Sequence, residues 1–247
     1  MSNLKRVLLY SGGLDSWLID KIWKPDIKIY IDMGTKYSEI EISKLPPNVT
    51  VLSFKKLGRY SLPNDIIPLR NLYLYAIAAN YTGFQDVEIC LGALNGDRIN
   101  DKTKNFADKL NELMQYLYEP QQSQPGRRIK ISMPFKQYSK REMLDMYIRR
   151  GGSYKKAYYS TFSCYNPANG CECLSCKACF RKSIPFIAAG ASDEIFTNDQ
   201  KRRIKKYAET VVKSNIDDYT KDKGKEGVDC LKALKIIESW SIDDSCC

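Results

Sequence analysis

The sequence contains no histidine among its 247 residues, so any soft metal ligand in it must be sulfur. It has no apolar run long enough to cross a bilayer, and its opening, Met1 to Gly13, lacks the apolar core of a cleavable signal. The expectation is a soluble, cytoplasmic protein with no membrane partner. Two common nucleotide-binding signatures are missing as well. Gly-x4-Gly-Lys-Ser/Thr does not occur, which excludes a Walker-type loop, and Gly-x-Gly-x-x-Gly does not occur, which excludes the dinucleotide fingerprint. There is no internal repeat, no low-complexity tract and no aromatic–basic RNA-binding motif.

A hydrophobic content of 43% supports a real core, and the length suits one large domain or one domain with an appendage. The nine cysteines are clustered and no export signal accompanies them, which favours metal binding over disulfides. A formal net charge of +10 suits acidic partners such as phosphates, nucleotides or nucleic acid, and equally a solvated lysine-rich surface.

Hydrophobic periodicity sets out the elements. Val7 to Tyr10 reads as a short buried strand and Leu14 to Trp23 as a helix stopped near Pro25. Ile27 to Ile31 alternates as a second strand ending at Asp32-Met33-Gly34, Ser38 to Leu45 reads as a short helix before Pro46-Pro47, and Val49 to Phe54 as a third strand. Pro63 to Pro68 is an irregular connection. An apolar helix over Asn71 to Tyr81 leads to a fourth strand, Val87 to Leu91. Phe106 to Tyr118 has helical period, Gln121 to Arg128 is a polar loop, and Ile129 to Met133 is a fifth strand. Ser139 to Arg150 is helical, with Ser139 and Glu142 spaced as a capping box. Strands alternating with helices at these lengths predict a parallel α/β sheet. Near Gly151-Gly152 the pattern changes to a cysteine-rich segment and then a charged helical tail.

Two segments carry chemistry. The first is Ser11-Gly12-Gly13-Leu14-Asp15-Ser16, directly after the first strand. Ligands of open parallel sheets sit at the carboxyl ends of strands, and a helix start that leaves backbone N–H groups uncovered favours an anion. The two glycines let a phosphate approach the backbone, while Ser11 and Ser16 add hydroxyl donors. The second is the run from Ser163 to Lys182, in which Cys164, Cys173, Cys176 and Cys179 are spaced C-x8-C-x2-C-x2-C. Four thiolates can close a tetrahedral structural zinc site; reduced thiols, a redox site or an iron–sulfur cluster are the alternatives. Cys171 is too close to Cys173 for both to ligate comfortably, and Lys177, Arg181 and Lys182 could offset the thiolate charge. Cys230, Cys246 and Cys247 read as incidental thiols.

The spelling Ser-Gly-Gly-Leu-Asp-Ser resembles the pyrophosphate-binding loop of the PP-loop ATP pyrophosphatases. Together with the cysteine cluster, and in this order, it resembles the QueC family of 7-cyano-7-deazaguanine synthases. Further segments agree: Asp32 to Ile40, Pro68-Leu69-Arg70-Asn71, Leu91-Gly92-Ala93 to Asp97, and Met133-Pro134-Phe135 to Ser139-Lys140. The similarity spans roughly residues 5 to 195. It implies a Rossmann-like, doubly wound, five-stranded parallel α/β fold with a four-cysteine zinc segment and a helical C-terminal tail. The implied division is an ATP-binding domain over 1–150, a zinc segment over 151–195 and a helical extension over 196–247.

The resemblance also implies a reaction. A 7-carboxy-7-deazaguanine is adenylated by ATP, ammonia displaces AMP to give an amide, and a second activation dehydrates the amide to the nitrile. ATP would be bound by Tyr10, Ser11, Gly12, Gly13, Leu14, Asp15 and Ser16, with Asp15 acting near the phosphates through Mg²⁺. Asp15, Arg70 and Lys140 are the implied catalytic residues; Lys36, Arg70, Asn71 and Asp97 would bind the substrate, although Lys36, Arg70 and Lys140 equally suit surface charge. Zn²⁺ would sit on Cys164, Cys173, Cys176 and Cys179. The partners implied are a deazapurine acid and ammonia, with a homodimer expected.

The chain departs from the family in two places. Arg98-Ile99-Asn100-Asp101-Lys102-Thr103 stands where the family carries a Tyr-Pro-Asp-Cys segment, so the substrate is open to change there. The tail from Asp199 adds a basic helix (Lys201 to Lys206), a polar gap (Lys221 to Gly227) and an amphipathic helix (Val228 to Trp240). A related reading within the enzyme class is a QueC-like phage-defence enzyme that joins a deazaguanine to a protein acceptor. A tRNA-modifying PP-loop enzyme, or a zinc module that binds nucleic acid, are further alternatives.

Overall fold

The computed structural model describes residues 4–63, 66–97, 99–123, 125–167 and 170–241. Asn64 and Asp65 of the irregular connection, Arg98 of the departing segment, and the thiols Cys246 and Cys247 lie outside the described residues. Strands β1 (Lys5–Leu9), β2 (Ile27–Asp32), β3 (Thr50–Ser53), β4 (Val87–Leu91) and β5 (Ile129–Ser132) form one parallel sheet in the order β3-β2-β1-β4-β5. Helices α1 (Leu14–Trp23), α2 (Ser38–Ser43), α3 (Arg70–Tyr81) and α4 (Lys104–Leu117) make the crossovers.

The sequence explains why β1 is central. Val7 and Leu9 point into a core shared with Ile29, Tyr75, Ile89, Leu91 and Ile129. Leu8 points to the opposite face by the two-residue period and is equally buried. Such a strand, apolar on both faces, belongs inside a sheet covered by helices on both sides. The edge strand β5 is closed by side-chain amides of α4. Asn111 accepts from the Ile131 N–H at 2.7 Å and donates to its carbonyl at 2.9 Å, and Gln115 donates to the Ile129 carbonyl at 2.8 Å.

Element boundaries shift for local reasons. Helix α2 stops at Ser43, short of Leu45, because Lys44 and Leu45 donate to carbonyls three residues back as the chain tightens before Pro46-Pro47. Helix α4 begins at Lys104, where Thr103 caps it by accepting from the Phe106 N–H. A 3-10 turn over Lys55–Tyr60 was not visible in the periodicity. It packs on the turn after β2, where a Cβ at Gly34 would collide with the Lys55 carbonyl.

Two compact units result: Met1–Ala93 with Asp97–Lys136, and Leu94–Gly96 with Gln137–Cys247. The division falls at Lys136, ahead of the composition change at Gly151-Gly152. The reason is that α5 (Lys140–Arg149) packs with the later helices of the second unit. Those are α6 (Tyr154–Tyr159), α7 (Lys177–Ala188), α8 (Ser192–Ile195), α9 (Asn198–Tyr207), α10 (Ile216–Thr220) and α11 (Lys225–Glu238). The capping box at Ser139 and Glu142 forms as the spacing predicts. In the tail, α11 starts at Lys225 inside the expected polar gap and ends at Glu238. An aromatic cluster anchors the second unit: the Tyr158 ring meets Phe186 at 5.2 Å and Phe196 at 5.1 Å, both edge to face.

Candidate functional site

In the first unit the chain leaves β1 toward β2 on one side and later returns to β4 on the other. The carboxyl ends of β1 and β4 therefore flank the point where strand order reverses, the place where such sheets bind ligands. The Ser11–Ser16 loop occupies it. Gly12 has φ +75°, a left-handed conformation that costs other residues about 1–2 kcal/mol. Gly13 is the N-cap of α1, and no side chain caps the helix start. Its first-turn N–H groups and positive dipole end are thus oriented toward the loop.

The Ser16 hydroxyl organises this turn. It donates to the Gly13 carbonyl at 3.0 Å, accepts from the Ser11 N–H at 3.2 Å, and lies 3.2 Å from the Ser11 hydroxyl. Tyr10 anchors the loop from below, with its ring buried and its N–H given to the Ile29 carbonyl at 2.8 Å. Burial pushes the Tyr10 phenol well above its usual range. Leu14 is buried as well. Gly92, just past β4, approaches closely: a Cβ built on it would stand 3.7 Å from the Asp15 Cβ and from the Ser16 nitrogen.

The other expected residues divide between the units. Lys36 lies in the turn after β2, its ammonium 5.0 Å from the Tyr37 ring centroid. Arg70 and Asn71 open α3; Asn71 is buried, and its Oδ1 has no hydrogen-bond partner among the described residues. Glu41 of α2 accepts from the Tyr30 hydroxyl at 2.6 Å, and burial raises its carboxyl pKa against the opposing pull of Arg70. Asp97 pairs with Lys102 of the segment that departs from the family pattern, a residue given no role of its own from sequence. Lys140 belongs to the second unit, where its Nζ meets Glu226 of α11 at 2.6 Å.

In the second unit the sulfurs of Cys164, Cys173, Cys176 and Cys179 all lie within 4.8 Å of one another. A four-thiolate zinc site with bonds of about 2.3 Å has sulfur–sulfur edges of roughly 3.8 Å, so the cluster is close to metal-binding size. Leu174, with φ +58°, turns the chain between Cys173 and Cys176, and Cys176 stands at the N-cap position of α7. The Cys164 sulfur accepts N–H groups of Asn166 and Cys173, both at 3.3 Å. A hydrogen bond from Cys179 is the main cause that pulls the Cys176 thiol below its usual range, and the same pairing pushes Cys179 up. These four residues could hold a metal ion. Cys171 is exposed and outside the cluster, as its spacing suggested.

Of the three basic residues expected to offset the thiolates, Lys182 acts on them directly. Its buried ammonium feels the charges of Cys179 and Cys164 and is bonded to Glu172 at 2.7 Å and to the Thr161 carbonyl at 2.6 Å. Arg181 and Lys177 pair with Glu226, at 3.0 Å, and Asp218, at 3.2 Å. Glu172 had a signal in its position between two cysteines; Glu226 had none near its partners in sequence.

The family model described as "Queuosine biosynthesis protein QueC" matches residues 30–190. A 7-cyano-7-deazaguanine synthase of Leptospira interrogans is 29% identical over 226 residues, covering 78% of this chain and 90% of that protein. Proteins of the same name from Citrifermentans bemidjiense and Archaeoglobus fulgidus are each 25% identical, over 223 and 243 residues. They cover 77% and 83% of this chain and 96% of each relative. No solved structure matches the chain significantly. The family match runs from β2 past the end of α7, over the whole cysteine cluster, and the chain belongs to the QueC family of queuosine biosynthesis proteins.

Proposed function

We propose that the protein converts 7-carboxy-7-deazaguanine into 7-cyano-7-deazaguanine with ATP and ammonia. The observation that carries this reading is the uncapped, glycine-led start of α1 at the reversal point of the sheet, in a chain of this family. A carboxylate is a poor electrophile until one oxygen becomes part of a leaving group. A carboxylate oxygen attacks the α-phosphorus of ATP and pyrophosphate departs. Ammonia then displaces AMP to give the amide. A second ATP activates the amide oxygen, and loss of AMP leaves the nitrile.

Stabilising the departing pyrophosphate is mainly an electrostatic task. The backbone of Ser11, Gly12 and Gly13 and the hydroxyls of Ser11 and Ser16 would hold the β- and γ-phosphates, with Tyr10 and Leu14 fixing the loop. Asp15 would hold Mg²⁺, which neutralises phosphate charge when bound. Arg70, Lys36 and Lys140 are the cations proposed for anion binding, and Asn71 and Asp97 are proposed for the substrate. Cys164, Cys173, Cys176 and Cys179 would hold Zn²⁺ in a closed site that stabilises the fold and leaves no position for chemistry. Residues 1–150 would carry ATP binding, 151–195 the zinc and 196–247 a helical extension.

The test is incubation with ATP, Mg²⁺, ammonia and 7-carboxy-7-deazaguanine, followed by mass. The amide and then the nitrile are expected. A folded, zinc-loaded protein that leaves the acid untouched contradicts the reading. Adenylate or amide that accumulates in excess ammonia favours transfer to a protein acceptor.

A further inference from the structure

The segment after β4 departs from the family pattern, and it brings a cation toward the loop. Lys102 closes the 3-10 turn Asn100–Lys102. Its Nζ lies 3.4 Å from the Asp97 carboxylate and 3.5 Å from the Gly92 carbonyl, with the side chain only 15% exposed. Gly92 is the residue that approaches Asp15 and Ser16. Asp97 is fixed in turn, because Lys136 donates to its backbone carbonyl at 2.8 Å.

Withdrawing a lysine from water costs side-chain entropy and solvation, a cost that a largely buried pair repays only when its geometry is good and its remaining donors are satisfied. An ammonium has three donors, and both of its contacts here are long for hydrogen bonds, so it is located without being saturated. Buried acceptors stand in the same region of the unit. Asp101, next in chain, has an Oδ1 with no hydrogen-bond partner among the described residues, and its charge acts on Tyr75 of α3. Asn71, one turn before Tyr75, presents another such oxygen. A cation and acceptors in one region of the unit suit a heterocycle that carries both an acid group and N–H donors.

We propose that Lys102 binds the carboxylate of the heterocyclic acid beside the loop, with Asp97 as its positioning residue. This rests on the reading of the preceding subsection and adds a substrate contact to it. The lysine would hold the acid where one carboxylate oxygen faces the α-phosphorus. It would also keep charge repulsion between acid and triphosphate from driving the two apart.

The test uses the full chain. Binding of 7-carboxy-7-deazaguanine is measured by calorimetry, and KM for the acid and for ATP by pyrophosphate release. The variants are K102M, K102R, D97N/K102M and, as a charge control, K104M, since Lys104 is exposed and pairs with Asp108. Loss of one charged hydrogen bond predicts acid binding weakened about 10- to 100-fold in K102M, with KM for ATP within about twofold. K102R should recover part of the loss and K104M should match the parent. D97N/K102M removes both charges of the pair, so its acid affinity should be no better than that of K102M, without a carboxylate left unmatched. Acid affinity unchanged in folded K102M and D97N/K102M, while the parent turns the acid over, overturns the inference and leaves the reading standing. Equal losses for ATP and acid overturn it too. A parent protein that neither binds nor consumes the acid overturns both.

Discussion

Asp15 is the residue on which the proposed chemistry turns. Asp15→Asn keeps the size and removes the charge. Pyrophosphate release should fall about 10²- to 10³-fold, while unfolding free energy changes by less than about 0.5 kcal/mol. Undiminished release would remove Asp15 from the site. The cysteines give a second test, because binding energy at a closed metal site is folding energy. Cys173→Ser should lose the metal and more than about 4 kcal/mol of stability, whereas Cys171→Ser should do neither. Metal analysis that finds the ion lost only from Cys171→Ser would reverse the ligand assignment. The loop and the cysteine cluster were legible as candidates at this scale because their residues are close in sequence: six consecutive positions for the loop, and three of the four cysteines at three-residue intervals. Lys102 was not, because it lies where the family pattern gives no guide and its partner Gly92 is met only through the fold.

At the scale of elements, α11 is held by charge. Glu226 meets Lys140 of α5 and Arg181 of α7, and neighbouring Asp229 accepts from the Ser139 hydroxyl at 2.7 Å. Burial alone would raise the Glu226 pKa, but the two cations hold it below its ordinary 4.5. Its folded value being depressed, Glu226 contributes stability above pH 4.5 and loses it as pH falls through the lowered value. Glu226→Gln should cost about 2–3 kcal/mol at neutral pH, discounted for the partial exposure of Arg181. Thermal melts at a series of pH values should show parent and variant converging in acid. A gap that stays constant below pH 4.5 would show the carboxylate charge to be irrelevant. The helices and strands were legible from periodicity, and α1 and β4 have the bounds read from sequence. The contact between α11 and α5 was not, since Lys140 and Glu226 stand far apart in the chain with no pattern linking them.

At the scale of the molecule, the alternation of strands and helices made a parallel sheet legible, but not its order. Any right-handed succession of crossovers satisfies that alternation; β4 lands beside β1, which makes both interior strands paired along each edge and joins Val7 and Leu9 to Ile89 and Leu91 in one core. That placement brings Gly92 to the Ser11–Ser16 loop. In the proposed reaction the loop activates a carboxylate by adenylation. The measurement that tests it most directly is isotope transfer from 7-carboxy-7-deazaguanine labelled with ¹⁸O in both carboxylate oxygens, incubated with ATP, Mg²⁺ and ammonia. If the carboxylate attacks the α-phosphorus, each AMP released carries one ¹⁸O, and the nitrile forms with two labelled AMP per acid. Label in inorganic phosphate with ADP as the nucleotide product, or unlabelled AMP alongside consumed acid, would contradict the account.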